Sequence, residues 1–231
     1  MSIAENIARV REEMAAAARE AGRAPEEITL VGASKMNDAA ACREAIAAGI
    51  DALGENRVQE MTQKLSENAY DGAPLHFIGH LQRNKVKQVV GKVALIQSVG
   101  SMELLEEIEK VAAREQLVQD ILLEVNIGRE EAKSGFDPDA VTAAAEAALS
   151  LPHVRVRGLM TIPPADADRD ANMRYFQEVQ ALYVDINTKL FHNELKCLSM
   201  GMSGDYMDAI RCGATMVRVG TAIFGARNYN I

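Results

Sequence analysis

The sequence predicts a closed (β/α)8 barrel, a TIM barrel, formed by a single domain over residues 1–231, and three observations lead there. Short apolar runs alternate with amphipathic, helix-compatible stretches, eight such runs can be counted, and the length suits a one-domain α/β barrel. Alternation of this kind means parallel strands with right-handed crossovers, which leaves an open doubly wound sheet or a closed barrel. Eight units in 231 residues favour the barrel. No G-x-G-x-x-G turn follows the first strand, which weakens the dinucleotide-binding form of the open sheet.

The first element is an extra helix. Ser2 and Glu5 form an S-x-x-E capping box, Ile3, Ile7, Val10 and Met14 share one face, and Gly22 and Pro25 end it. Glu5, Arg9, Arg11 and Glu12 interrupt any apolar run, so the segment is read as part of the fold and not as a targeting signal. Strands are expected at 28–34, 51–54, 75–78, 94–97, 121–127, 154–160, 195–199 and 216–219. Helices are expected at 38–48, 58–67, 102–114, 138–149, 172–190 and 206–212, with a shorter helical link at 83–90. Pro163 and Pro164, with the acidic run 166–170, read as one surface loop; a domain boundary there would split the repeat. A second catalytic domain has little room.

Composition narrows the function. A formal charge of −8 and a pI near 5.1 oppose tight binding to nucleic acid, whose affinity comes largely from Lys and Arg displacing counterions from phosphates. A local pocket for one small phosphate is compatible with that charge. No run approaches the roughly 20 apolar residues of a membrane span. Cys42, Cys197 and Cys212 form neither an even disulfide framework nor a close metal-binding pair. The expectation is a soluble, cytoplasmic monomer with no metal site, its cysteines ordinary core or helix residues.

In a barrel of this type the C-terminal ends of the strands carry function. The first strand ends in GASK, and Lys35 shares side-chain parity with Thr29, Val31 and Ala33, so it faces the lumen if Ile28 and Leu30 face the helices. Desolvation there would lower its pKa and supply neutral amine for attack on an aldehyde. A solvated lysine opening a loop is the competing reading, and spacing alone does not exclude it.

The last two strands favour a ligand. LSMGMSG follows the seventh, with Ser199, Met200, Gly201 and Ser203, and VGTAIFGA follows the eighth, with Gly220 and Thr221. Glycine-freed N–H groups and helix N-termini form anion sites, and the loops after strands seven and eight recur as phosphate sites in this fold. Two tight turns remain the alternative. Arg218, between Val217 and Val219, points inward by parity and needs an acceptor there, which Glu124 on the fifth strand or a ligand atom can supply. The second exit carries Glu55 and Asn56, and the third carries His76, His80, Gln82, Asn84 and Lys85. Asn56 can equally cap the next helix through N-x-x-Q, and His76 can equally be a satisfied core histidine.

Taken together, GASK at Lys35, GENRVQE at 54–60, HFIGHLQRNK at 76–85, KSG at 133–135, RGLMTIP at 157–163, LSMGMSGD at 198–205 and RVGTAIFGAR at 218–227 resemble the YggS/PROSC family of pyridoxal phosphate homeostasis proteins. The motifs span nearly the whole chain and are specific in combination. The resemblance implies a barrel like the N-terminal domain of alanine racemase, with pyridoxal 5′-phosphate (PLP) held as a Schiff base on Lys35. It implies a phosphate cradle in the two glycine-rich strings and Arg218 facing the pyridine nitrogen, a setting that weakens PLP as an electron sink. It also implies no established catalysis, a role in vitamin B6 homeostasis, binding of PLP and other B6 vitamers, and apo-PLP enzymes as partners. Whether a second lysine such as Lys133 also takes PLP is left open. Met36, Asn37 and Asp38 depart from the family's more frequent Thr-Lys-Pro, which puts the release rate in question more than the attachment.

Two enzyme readings compete with the carrier. An amino-acid racemase would use the same barrel and lysine, but it needs a second acid/base on the opposite face of the substrate. A Schiff-base aldolase acting on a sugar phosphate would use the lysine and the phosphate loops.

Overall fold

The computed structural model describes residues 1–225; Ala226 and Arg227, the end of the RVGTAIFGAR string, lie outside them. Eight parallel strands close into a barrel in sequence order: β1 (Thr29–Ala33), β2 (Ala52–Glu55), β3 (Leu75–Phe77), β4 (Leu95–Val99), β5 (Gln119–Val125), β6 (Val154–Thr161), β7 (Cys197–Ser199) and β8 (Met216–Val219). Closure comes from β1 pairing with β8, where Val31 lies opposite Arg218. Around the strands lie α1 (Ile3–Glu20), α2 (Ala39–Ala47), α3 (Val58–Ser66), α4 (Met102–Arg114), α5 (Val141–Ala148), α6 (Arg169–Leu190), α7 (Tyr206–Arg211) and α8 (Thr221–Phe224). A 3-10 helix, Arg83–Gln88, replaces the helix between β3 and β4.

Local chemistry explains the bounds. The capping box at Ser2 and Glu5 is formed, and Ile7, Val10 and Met14 of α1 are buried. Asp51 lies outside β2 because its carboxylate accepts the Leu30 N–H at 2.7 Å and Arg11 at 2.8 Å. The acidic run 166–170 is not all loop as expected: Asp168 accepts the Ala171 N–H as N-cap, so α6 begins at Arg169. Helix α5 starts later than expected, because the Ala140 and Val141 N–H groups both turn back onto the Asp137 carbonyl.

Strand alternation divides the core in two. Leu30, Leu53, Phe77, Ile96, Leu123 and Val217 pack outward under the helices, whereas Val31, Ala52, Leu95, Leu122, Met160 and Met216 plug the lumen. Leu30 and Val31 thus confirm the parity expected of β1. A floor of apolar side chains makes the lumen a packed core, and the polar inward positions above it belong to the C-terminal rim. Among the described residues, no helix is long and apolar enough to cross a membrane, and no group of three or more His, Cys, Asp or Glu residues is placed to hold a metal ion. The three cysteines are free.

Candidate functional site at the C-terminal rim

Lys35 stands half-buried two residues beyond the end of β1, between fully buried Ser34 and exposed Met36. The chain reverses there: Met36 is left-handed, with φ 61°, and the Asn37 N–H reaches the Ser34 carbonyl at 3.1 Å. The Asn37 amide donates to the Lys35 carbonyl at 3.0 Å, and Asp38 caps α2 through the Ala41 N–H. Asn and Asp close turns through their own side chains, so the Met36-Asn37-Asp38 departure builds a defined turn after the lysine.

Above the apolar plug runs a hydrogen-bonded relay of buried side chains. Arg218, 3% exposed, donates from Nη1 to Ser199 Oγ at 2.6 Å and from Nη2 to the Thr161 carbonyl at 2.9 Å. Ser199 donates to Gln97 Oε1 at 2.6 Å, and Gln97 Nε2 lies 2.9 Å from His76 Nδ1. An amide nitrogen can only donate, so Nδ1 accepts and His76 carries its proton on Nε2. Burial lowers the His76 pKa to about 4 and keeps the ring neutral. Burial also lowers the Arg218 pKa, to about 10, opposed by attraction from Glu124 and Asp205, so the guanidinium stays charged.

Of the two acceptors offered for Arg218, Glu124 is not a direct partner: its carboxylate takes the Ser134 hydroxyl at 3.2 Å, and it acts on Arg218 only at longer range. Within the core His76 accepts the Gln97 amide through Nδ1. Ser199 is not part of an open cradle, because its hydroxyl lies wholly inside the barrel between Arg218 and Gln97.

The candidate cradle is smaller than the two strings suggest. Ser203 Oγ accepts the N–H groups of Gly220 at 3.1 Å and Ala222 at 3.3 Å, drawing the β7 and β8 loops together. Gly201, at φ 94°, gives its carbonyl to the Arg218 N–H, and a Cβ there would lie 2.6 Å from that of Ala209. Met200 offers the cradle neither side chain nor N–H: it is buried in the outer core, and its N–H bonds the Met216 carbonyl. Thr221 is exposed at the first position of α8. A side chain at Gly220 would begin 3.4 Å from the Ala33 carbonyl, so this cradle lies directly beside the strand that delivers Lys35.

Asn56 does not cap α3; Arg57 is its N-cap. The Asn56 Oδ1 is instead buried without a hydrogen-bond partner on the wall of a mouth cavity of about 260 Å³, which Glu124, Ile162 and Lys133 also line. A larger cavity of about 510 Å³ adjoins it through His80, Lys133 and Ser134 and extends past Arg83 and Ser101. Lys133 is ion-paired with Glu130 at 2.5 Å.

The family model for the alanine racemase N-terminal domain matches residues 2–228. A pyridoxal phosphate homeostasis protein from Aquifex aeolicus is 42% identical over 99% of this chain and 100% of its own length. One from Pseudomonas aeruginosa is 41% identical over 99% of this chain and 97% of its own length. The chain belongs to the pyridoxal phosphate homeostasis protein family. Among solved structures, PipY of Synechococcus elongatus with PLP bound superposes with a TM-score of 0.84 at 32% identity, covering 97% of this chain and 100% of that one.

Three rim residues of this family member escaped the sequence reading. Gln97 was detectable, since it shares inward parity with Leu95. Thr161 contributes a backbone carbonyl, for which side-chain type carries no signal. Lys64, 4% exposed, lies on the Val58 and Met61 stripe of α3, and its burial depends on partners distant in sequence.

Proposed function

We propose that the chain binds PLP as a Schiff base on Lys35, seats the phosphate at Ser203, Gly220 and Ala222, and serves vitamin B6 homeostasis by holding the cofactor and passing it to apo-enzymes. One observation carries this reading: the N–H pair collected on Ser203 follows β8, the strand paired with β1, which leads to Lys35. PLP bears its aldehyde and its phosphate ester on neighbouring ring carbons, so a protein must meet both close together. Adjacent strands do this. The donor set fits as well, because the Gly220 and Ala222 N–H groups, which Ser203 Oγ accepts here, and the Ser203 hydroxyl proton are the kind of donors a phosphate accepts from. The Aquifex and Pseudomonas names and the PLP-bound PipY support the same cofactor.

Bound PLP supplies an aldehyde for amine capture and, when its ring nitrogen is protonated, an electron sink. Arg218 has only donors to offer a ring nitrogen and so favours its unprotonated form. Ser199 and the Thr161 carbonyl fix the guanidinium in place. That chemistry suits holding over turnover.

The direct test is to load the protein with PLP, reduce it with borohydride and map the adduct. The expected result is a pyridoxyl group on Lys35, lost from that site in Lys35→Ala; an adduct found mainly elsewhere on the wild-type chain sinks the assignment. Loaded protein should also reactivate an apo-PLP enzyme faster than its own rate of PLP release into buffer. Sustained conversion of an amino acid by the loaded protein would overturn the holder reading. Ser203→Ala removes one hydrogen-bonding hydroxyl from the cradle and should weaken PLP binding about fivefold, read by titration of the pyridoxal chromophore.

A further inference from the structure

We propose that Lys64 is a positioning residue for Lys35, acting with Glu55 and Glu60 as a buried clamp on the two residues that flank the PLP lysine. The inference rests on Lys35 being the attachment point. The Lys64 ammonium has three partners: the Ser34 carbonyl at 2.8 Å, Glu55 Oε1 at 2.6 Å and Glu60 Oε1 at 2.8 Å. Each leads back to Lys35. Ser34 precedes it, and its hydroxyl donates to the same Glu55 oxygen at 2.6 Å. Met36 follows it, and its N–H donates to the same Glu60 oxygen at 2.5 Å. One buried cation thus ties down the backbone on both sides of the tether, although it comes from a helix and not from the strand that carries the lysine.

The arms of the clamp are unequal. Glu55 is fully buried, and its Oε1 takes both the Lys64 ammonium and the Ser34 hydroxyl, which makes the inner arm. Glu60 has its side chain 20% exposed and lines a surface cavity of about 350 Å³ together with Met36, Asp38 and Lys64. The outer arm is therefore reachable from outside, and it holds Met36, which sits in a left-handed conformation uncommon for a side-chain-bearing residue. If the outer arm opens, the Met36 N–H loses its carboxylate, and the turn that presents Lys35 rests on the Asn37 bonds to the Ser34 and Lys35 carbonyls alone among those described. A holder needs such a control, because a tether's strength depends on how well its geometry is maintained once the bond has formed.

The test compares PLP-loaded wild type with Glu60→Gln and Lys64→Met, measuring the rate of PLP loss to excess hydroxylamine, the pH titration of the pyridoxal absorption band, and Tm. Glu60→Gln is expected to release PLP about five- to tenfold faster and to shift the band's titration, with Tm within a few degrees of wild type. Lys64→Met should release faster still. Should it fail to fold, Glu60→Gln decides. Glu109→Gln, which disturbs the His153 contacts at the other end of the barrel, controls for stability loss without loss of the clamp. Wild-type release rates and band titration in the clamp variants, with only Tm lowered, would reduce Lys64 to a structural ion pair and overturn the proposal. Wild type without a reducible Lys35 adduct is a different result, and it counts against PLP attachment instead.

Discussion

Replacing Gly158 with alanine is expected to lower Tm by about 6–12 °C, the equivalent of upwards of about 3 kcal/mol in a chain of this size. A Cβ at this position would lie 1.6 Å from the Cys197 carbonyl oxygen, and the glycine adopts φ 155° where the β5–β6 register shifts. The obstacle is the backbone of the neighbouring strand, so no rotamer change relieves it. Strand β7 must move away from β6. That motion reaches the site, because Met160 pairs with Ser199 two residues along the same ladder, and Ser199 links Arg218 to Gln97. Gly204→Ala is the control: a Cβ there would meet nothing within 4 Å, and Tm should stay within about 2 °C of wild type. Thermal unfolding of the two variants decides the matter, and a Gly158→Ala protein as stable as Gly204→Ala would show that β7 is not held this tightly.

The same strands show what the sequence could and could not convey. Period-two parity placed Val31 and Arg218 correctly on the inward side, since a strand buried on both faces still alternates between lumen and helices. Applied to β7, that parity would have put Ser199 inward beside Cys197; grouping it with Ser203 as one glycine-rich string made it look like cradle. Helix α8 is four residues long, too short for a helical period to register, yet it and its N-cap Gly220 supply the two N–H groups of the candidate cradle. Asn56 matched a capping pattern that the chain does not use, because the helix starts one residue later. Lys64 is the largest omission. A lysine on an amphipathic helix is ordinarily a solvated one, and only the fold brings Glu55 and the Ser34 carbonyl to it.

Acid should weaken the wild-type fold relative to His76→Asn, by about 3 kcal/mol between pH 7.5 and 4. Burial lowers the His76 pKa from 6.5 to about 4, and that gap is worth about 3 kcal/mol. The sign follows from proton binding: between those values the unfolded chain takes up a proton that the folded chain refuses. The contribution is present above pH 6.5 and is lost as the pH falls toward 4. Protonation also breaks the relay, since a proton on Nδ1 would face the Gln97 amide N–H, and that amide's oxygen is already held by Ser199. The neighbouring acids act in the opposite direction. Burial raises the pKa of Glu55, Glu124 and Asp205, so their contribution is greatest at low pH and declines as the pH rises through their folded values. A wild-type profile alone would mix the two slopes, whereas the difference between wild type and His76→Asn isolates the histidine. Asn retains an acceptor for Gln97 without a titrating ring. Urea unfolding at a series of pH values should show the two stability curves converging as the pH falls, and parallel curves would mean that His76 is protonated as readily in the fold as outside it.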